Sequence, residues 1–146
     1  MKKTELLAEQ ARLHALANEL ARKHWGVDYT GTITLVNYEW RSYNGKFRHK
    51  RDRNDLSLQE IRMSAITNAR RTPEEVEGTL LHELVHWRLF VTGEPNSDED
   101  YAFIVECLRV GAPISKARAA QDAYKRFTQI QRFEERTGRN YLDVAV

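Results

Sequence analysis

The strongest structural signal in this 146-residue chain is a helix start at Thr72. Pro73 follows in the first turn, where its missing N–H costs no hydrogen bond, and Glu75 can complete a capping box with the Thr72 hydroxyl. The apolar residues that follow cover more than one stripe of a helical wheel: Val76, Leu80, Leu81, Leu84, Val85, Leu89 and Phe90. A helix that is apolar around most of its circumference is buried. The sequence therefore predicts a central, mostly buried helix from Thr72 to about Gly93.

Weaker patterns on both sides of this helix predict an α+β fold. Apolar residues at helical spacing favour helices, and short β-branched runs favour strands. The Asn44-Gly45 pair is typical of tight hairpin turns, so the second strand is predicted to run from Tyr43 or Lys46 to Lys50. The three strands would form a small sheet, antiparallel or mixed. The predicted segments outside the central helix are helices over 4–24, 98–110 and 115–138 and strands over 32–36, 43–50 and 58–64.

Chain length and composition favour a single intracellular domain. A chain of 17.1 kDa has the size of one domain, so we expect one unit over 1–146, with its core over about 4–115 and a C-terminal helix and tail over 116–146. The single cysteine, Cys107, excludes an internal disulfide and a zinc ribbon. No apolar run has the length of a membrane span, and the N-terminus lacks a signal-peptide pattern. We therefore expect a cytoplasmic protein with no membrane partner.

The central helix also contains the residues that can carry chemistry, His82-Glu83-Leu84-Val85-His86. Two histidines at i and i+4 lie one turn apart on one face, close enough for both imidazoles to bind one Zn2+ ion. Glu83 lies about 100° further round the helix, where it can reach a metal-bound water and act as a general base. Two ordinary core histidines are the alternative, but they would leave Glu83 as an unexplained charge in an apolar helix, which is costly.

The segment Thr79–Trp87, with short strands and a helix before it and a helix after it, resembles the SprT-like metallopeptidase domain. The relatives of that domain include Spartan-type proteases, which digest proteins crosslinked to DNA. The resemblance covers about 4–115, and Arg109–Pro113 is similar to shorter members from phages and bacteria. It implies a zincin-like fold, protein substrates, a Zn2+ ion held by the two motif histidines, and Glu83 as the catalytic base.

The third metal ligand departs from the family pattern. Better-known members have a histidine four residues before a phenylalanine of the next helix; here Glu99 stands four residues before Phe103, and no histidine follows His86. Because catalytic zinc usually has three protein ligands, we expect a carboxylate in this place. Asp98 is favoured, since shorter members resemble this chain in having an aspartate at that spacing. Three acidic residues stay open as alternatives, each of which could instead cap or complement a helix: Glu99, Asp100 and Glu106.

A basic segment over 41–53, with Trp40, Tyr43 and Phe47 in or beside it, has two interpretations. Basic residues interleaved with aromatics can form an electrostatic footprint for nucleic acid. The same charges can instead protect the solvated edge of a twisted hairpin. The family resemblance makes DNA an expected partner. The residues that would contact its phosphates are Arg41, Lys46, Arg48, Lys50, Arg51 and Arg53.

Together these observations predict a zinc-dependent metallopeptidase that hydrolyses peptide bonds in protein substrates, including DNA-associated proteins. Two alternatives remain. One is a DNA-binding module of SprT-like fold whose metal is structural and which has little protease activity. The other is a regulatory peptidase of the ImmA/IrrE type, which has the same helix motif but cuts one dedicated repressor.

Overall fold

The computed structural model of the chain describes residues 1–141. Over this range the chain forms five helices and three strands, which confirms the predicted α+β class. The predicted tail residues 142–146 lie outside the described residues. The elements in chain order are α1 (Lys3–Trp25), β1 (Thr32–Val36), β2 (Gly45–His49), β3 (Gln59–Ser64), α2 (Ala65–Ala69), α3 (Pro73–Val91), α4 (Tyr101–Val110) and α5 (Arg118–Thr137).

The three strands form a mixed sheet in the order β1-β3-β2. The central strand, β3, is parallel to β1 and antiparallel to β2. Helices α1 and α3 pack on this sheet and on each other. The side chains of Ile33 and Leu35 in β1 and of Ile61 and Met63 in β3 are buried in the core between these elements. The central position of α3 agrees with the prediction from its apolar circumference.

The prediction that Asn44-Gly45 forms a tight hairpin turn is wrong. Strands β1 and β2 do not pair, because β3 lies between them. The segment 37–44 therefore crosses the end of β3, and Gly45 is the first residue of β2. The hairpin is formed by β2 and β3 instead, through the longer connection 50–58. A local turn preference gave the wrong strand pairing.

Two hydroxyl groups near the end of β3 hold the crossing segment in place. Ser64 donates a hydrogen bond from its hydroxyl to the carbonyl of Tyr38. Thr67 donates to the carbonyl of Trp40 and accepts from the N–H of the same residue. These bonds fix where the chain enters β2, and β2 in turn covers part of α3.

The helix ends follow local signals to different degrees. Thr72 and Glu75 form the predicted capping box at the start of α3. Helix α4 begins at Tyr101, three residues later than predicted, because residues 97–100 form a separate turn in which the Asp100 N–H donates to the Ser97 carbonyl. The short helix α2 was not predicted. Among the described residues, none of the helices is both long enough and apolar enough to cross a lipid bilayer.

Candidate metal site and cleft

Helix α3 presents His82 and His86 on one face, one turn apart. Their ring centroids lie 5.0 Å apart, and their side chains are only 12 % and 13 % exposed. Phe103 of α4 packs against both rings, stacked on His86 at 4.1 Å and edge-on to His82 at 5.0 Å. The two imidazoles are therefore held by packing in a partly buried setting.

Asp98, in the loop between α3 and α4, brings a carboxylate to both imidazoles. Its Oδ1 lies 3.0 Å from His82 Nε2 and 3.1 Å from His86 Nε2. The ligand atoms of these three residues all lie within 4.8 Å of one another. Within residues 1–141 this is the one group of histidine, cysteine and acidic side chains compact enough to hold a metal ion.

Backbone carbonyls orient the two imidazoles toward Asp98. His82 Nδ1 lies 2.6 Å from the carbonyl oxygen of Pro113, and His86 Nδ1 contacts the carbonyl oxygen of Asn96. A carbonyl oxygen can only accept a hydrogen bond, so the Nδ1 atom of each ring must carry a hydrogen. Nε2, which faces Asp98, is then the nitrogen of each ring that would coordinate a metal after losing any proton it carries, which is the usual arrangement around a metal site.

The other three acidic alternatives are placed differently. Glu99 is exposed and lies beside the histidines without bonding to them. Asp100 accepts a hydrogen bond from the Ser97 N–H at 2.8 Å. Glu106 forms an ion pair with Arg109 on the same helix. Of the four acidic residues considered, Asp98 is the one that the fold brings to both histidines.

The charged groups of this cluster change one another's pKa values. Burial would lower the pKa of His82, but hydrogen bonds to Asp98 and Cys107, the charge of Glu83 and the Pro113 carbonyl outweigh it and raise this pKa to about 11. Hydrogen bonds from His82 and then from His86 hold the pKa of Asp98 well below its usual range. Near neutrality the metal-free cluster therefore holds a proton on His82 that faces the Asp98 carboxylate.

This protonation predicts that metal binding releases a proton. His82 Nε2 must lose its proton before it can coordinate, so near neutrality at least one proton should leave per ion bound. Because the proton competes with the metal, affinity should rise with pH up to the pKa of His82, about 11. Calorimetric titration with Zn2+ in two buffers of equal pH but different ionisation enthalpy measures the release. An observed enthalpy that is the same in both buffers would contradict the prediction.

Glu83 lies on the neighbouring side of α3 and is only 6 % exposed. Its burial raises the pKa of its carboxyl above the ordinary value, and the charge of Asp98 adds to this rise. The charges of His86 and His82, and a hydrogen bond from the backbone of Phe47 in β2, act in the opposite direction but do not cancel it. The site therefore contains a buried carboxyl that is more basic than an exposed glutamate.

A cleft of about 390 Å³ opens beside these residues. Residues 45–47 of β2 line one part of it, and residues 96–99 of the loop before α4 line another, together with Glu83 and His86. Strand β2 is an edge strand of the sheet. The cleft therefore lies between an edge strand and the loop that carries Asp98.

The six basic residues predicted to contact nucleic acid are all exposed, but they have different surroundings. Arg48 pairs with Glu60 of β3 at 2.9 Å. Arg53 donates to the carbonyl of Glu94 at 2.7 Å and so ties the β2–β3 connection to the loop that carries Asp98. Lys46 lines the cleft, with its ammonium 5.8 Å from the centre of the Tyr43 ring. The three others lie on connections: Arg41, Lys50 and Arg51.

Sequence reasoning missed three contributors to the site. The carbonyl groups of Asn96 and Pro113 have no side-chain signature, so no sequence pattern could have identified them. The sequence predicts Gly45 as a turn residue, whereas in the structure it lies against Glu83. Comparisons with protein-family models, with curated proteins and with solved structures found no match for this chain.

Proposed function

We propose that the protein is a zinc-dependent metallopeptidase of the SprT-like type, with a zincin-like fold. The observation that carries the proposal is the position of Asp98 Oδ1 within 3.1 Å of the Nε2 atoms of both histidines of the motif. A carboxylate from a separate loop would thus complete a three-ligand set next to the buried Glu83. The histidine spacing alone would supply only two ligands.

The donor set fits zinc. Two imidazoles and one carboxylate are ligands found in catalytic zinc sites, which keep a further position for water or substrate. Here His82, His86 and Asp98 would hold the ion, with Nε2 as the coordinating atom of each histidine. When bound, zinc would supply a Lewis acid that polarises a carbonyl and makes a nearby water more acidic.

Glu83 would act as the general base. Its carboxylate would accept a proton from the attacking water and return it to the leaving amine. The raised pKa of this buried carboxyl supports the role, since it makes the carboxylate a better proton acceptor than an exposed glutamate. Its place one residue after His82 keeps it near the metal ligands.

The position of β2 supports a polypeptide substrate. Backbone groups on the outer side of an edge strand have no partner in the sheet and can pair with an extended peptide. Because β2 also lines the cleft, a peptide paired with it would pass close to Glu83 and His86. We therefore propose unfolded or extended segments of proteins as the substrate class.

Metal content and proteolysis together test this proposal. The purified protein should contain about one zinc ion per chain and should cleave a denatured protein such as casein. Removal of the metal with a chelator should abolish cleavage, and stoichiometric Zn2+ should restore it. Zinc content without cleavage of denatured or DNA-bound proteins would refute a peptidase of general substrate range. It would leave the two alternatives, a DNA-binding module with a structural metal and a regulatory peptidase that cuts one dedicated repressor.

A second proposal is that the basic segment 41–53 contacts DNA. It rests on the exposure of Lys50 and Arg51, which are adjacent on the same connection. Replacing both by alanine should weaken binding to any DNA sequence and reduce the salt dependence of binding, by about one in the log–log slope for each charge removed. Fluorescence anisotropy at several salt concentrations measures both effects.

A matched change elsewhere on the surface separates local contact from net charge. Lys125 and Arg126 are adjacent and exposed on α5. Their double alanine variant removes the same charge and should keep the wild-type slope. Binding that is absent at low salt, or lost equally in both double variants, would contradict a DNA contact at 41–53.

A further inference from the structure

The backbone conformation of Gly45 is one that residues other than glycine can also adopt. The positive-φ glycines among the described residues are Gly26, Gly93, Gly111 and Gly138, so Gly45 does not use the left-handed region. It does not form the turn of a hairpin either, since it begins β2. We therefore attribute the glycine to the lack of room for a side chain at this position.

The space around Gly45 is limited by α3. A Cβ atom at this position would lie 2.8 Å from Thr79 Cγ2, which is closer than such atoms approach each other. It would also lie 3.0 Å from Glu83 Cγ and 3.2 Å from Glu83 Oε1. The backbone of β2 thus approaches α3 so closely that no side chain fits between the strand and Glu83.

The rest of β2 continues along α3. The backbone of Phe47 forms a hydrogen bond with Glu83. Further along, the Phe47 ring lies 5.7 Å from Phe90, and the His49 ring stacks on Phe90 at 4.4 Å. The strand is therefore anchored at its far end by aromatic packing, and its first residues cover Glu83.

We propose that Gly45 is a positioning residue for Glu83, an inference that rests on the proposed peptidase function. A glutamate side chain has several rotatable bonds, and contact with the β2 backbone restricts them. This restriction holds the carboxylate beside His86 and Asp98 rather than leaving it to sample other rotamers. Small displacements of a reacting group are costly, about 100-fold in rate for 1 Å.

A purely structural role for Gly45 is the competing explanation, because the nearest atom to the added Cβ belongs to Thr79. A Thr79→Ser substitution separates the two explanations. It removes Cγ2 and keeps Oγ1, which accepts a hydrogen bond from Arg71 at 2.9 Å. In the double variant Gly45→Ala/Thr79→Ser, β2 can return to its place on α3 while the new Cβ still contacts Glu83.

The experiment compares the wild type, Gly45→Ala, Thr79→Ser and the double variant. We expect Gly45→Ala to lower the thermal midpoint and the double variant to recover the midpoint of Thr79→Ser. The kcat for a quenched-fluorescence peptide should stay about 10- to 100-fold below wild type in both variants that include the Gly45→Ala substitution, while Zn2+ affinity stays within about twofold. A crystal structure of the double variant should show the Glu83 carboxylate displaced.

Gly78→Ala is the matched control. It adds the same methyl group to α3, where the new Cβ would lie 3.6 Å from Pro113 Cδ in ordinary contact. Its kcat should equal that of the wild type. Recovery of kcat together with stability in the double variant, or full activity in Gly45→Ala, would overturn the inference while leaving the peptidase proposal intact. Absence of cleavage by the zinc-loaded wild type would overturn both.

Discussion

Replacing Glu83 by glutamine should abolish peptide-bond hydrolysis and leave the metal bound. Glutamine has the size of glutamate, so it fits beneath β2, and its amide oxygen can still accept the hydrogen bond from Phe47. It cannot accept a proton from the attacking water, and loss of a general base costs about 100- to 10,000-fold in rate. Initial rates with a quenched-fluorescence peptide, measured at equal zinc content, give the effect.

Glu77→Gln is the control for this substitution. Glu77 lies on the same helix and is exposed, so the variant removes the same charge without touching the cleft. It should keep the wild-type rate. Undiminished cleavage by Glu83→Gln would refute the assigned base, and loss of zinc from that variant would show that Glu83 holds the site together instead.

The same substitution should also make the metal-free protein more stable. Burial raises the pKa of the Glu83 carboxyl, which means that the folded protein disfavours its charged form. The neutral amide avoids this cost, so the thermal midpoint of the metal-free Glu83→Gln protein should exceed that of the wild type near neutrality. A lower midpoint would indicate that the charged carboxylate is stabilised by partners in the fold.

The parts of the structure that could be predicted from sequence are those set by neighbours along the chain. The capping box at Thr72 needs residues only three apart, and the facing of His82 and His86 follows from the helical repeat. Both signals lie within single turns of α3. The helix and the two-histidine face could therefore be inferred without knowledge of the remaining fold.

The sheet could not be predicted in the same way. Strand pairing depends on contacts between distant segments, whereas Asn44-Gly45 reports only a local turn preference. In the fold, β3 separates the two strands that this pair was expected to join. The glycine is used for close approach to α3, which no local pattern could reveal.

Sequence neighbours alone also could not predict which acidic residue lies next to the two histidines. Asp98, Glu99 and Asp100 are consecutive, so charge and spacing alone could not distinguish them. The path of the loop decides which carboxylate reaches the histidines. Two hydrogen bonds shape that path: Arg53 donates to the carbonyl of Glu94, and the Ser97 N–H donates to the Asp100 carboxylate. The family resemblance favoured Asp98, and its role as a ligand stays a prediction.

Replacing Asp98 by asparagine should remove most of the affinity for zinc. The change keeps the size of the side chain but replaces the carboxylate proposed to bind the metal by a weakly coordinating amide. Even partners outside the ligand set contribute about 10- to 100-fold to metal affinity, so loss of a direct ligand should cost more than about 100-fold. Competition with a chromophoric chelator measures the dissociation constant, and proteolysis should fail at zinc concentrations that saturate the wild type.

Glu99→Gln separates ligation from charge in this comparison. Glu99 is the next residue and lines the same cleft, so its substitution removes the same charge at nearly the same place. If Asp98 acts by coordination, Glu99→Gln should change the zinc dissociation constant by less than about threefold, since an exposed charge contributes little. If both variants lost the same zinc affinity, the loop would attract the ion through its negative charge alone. If the zinc dissociation constant of Asp98→Asn equalled that of the wild type, Asp98 would not be a ligand.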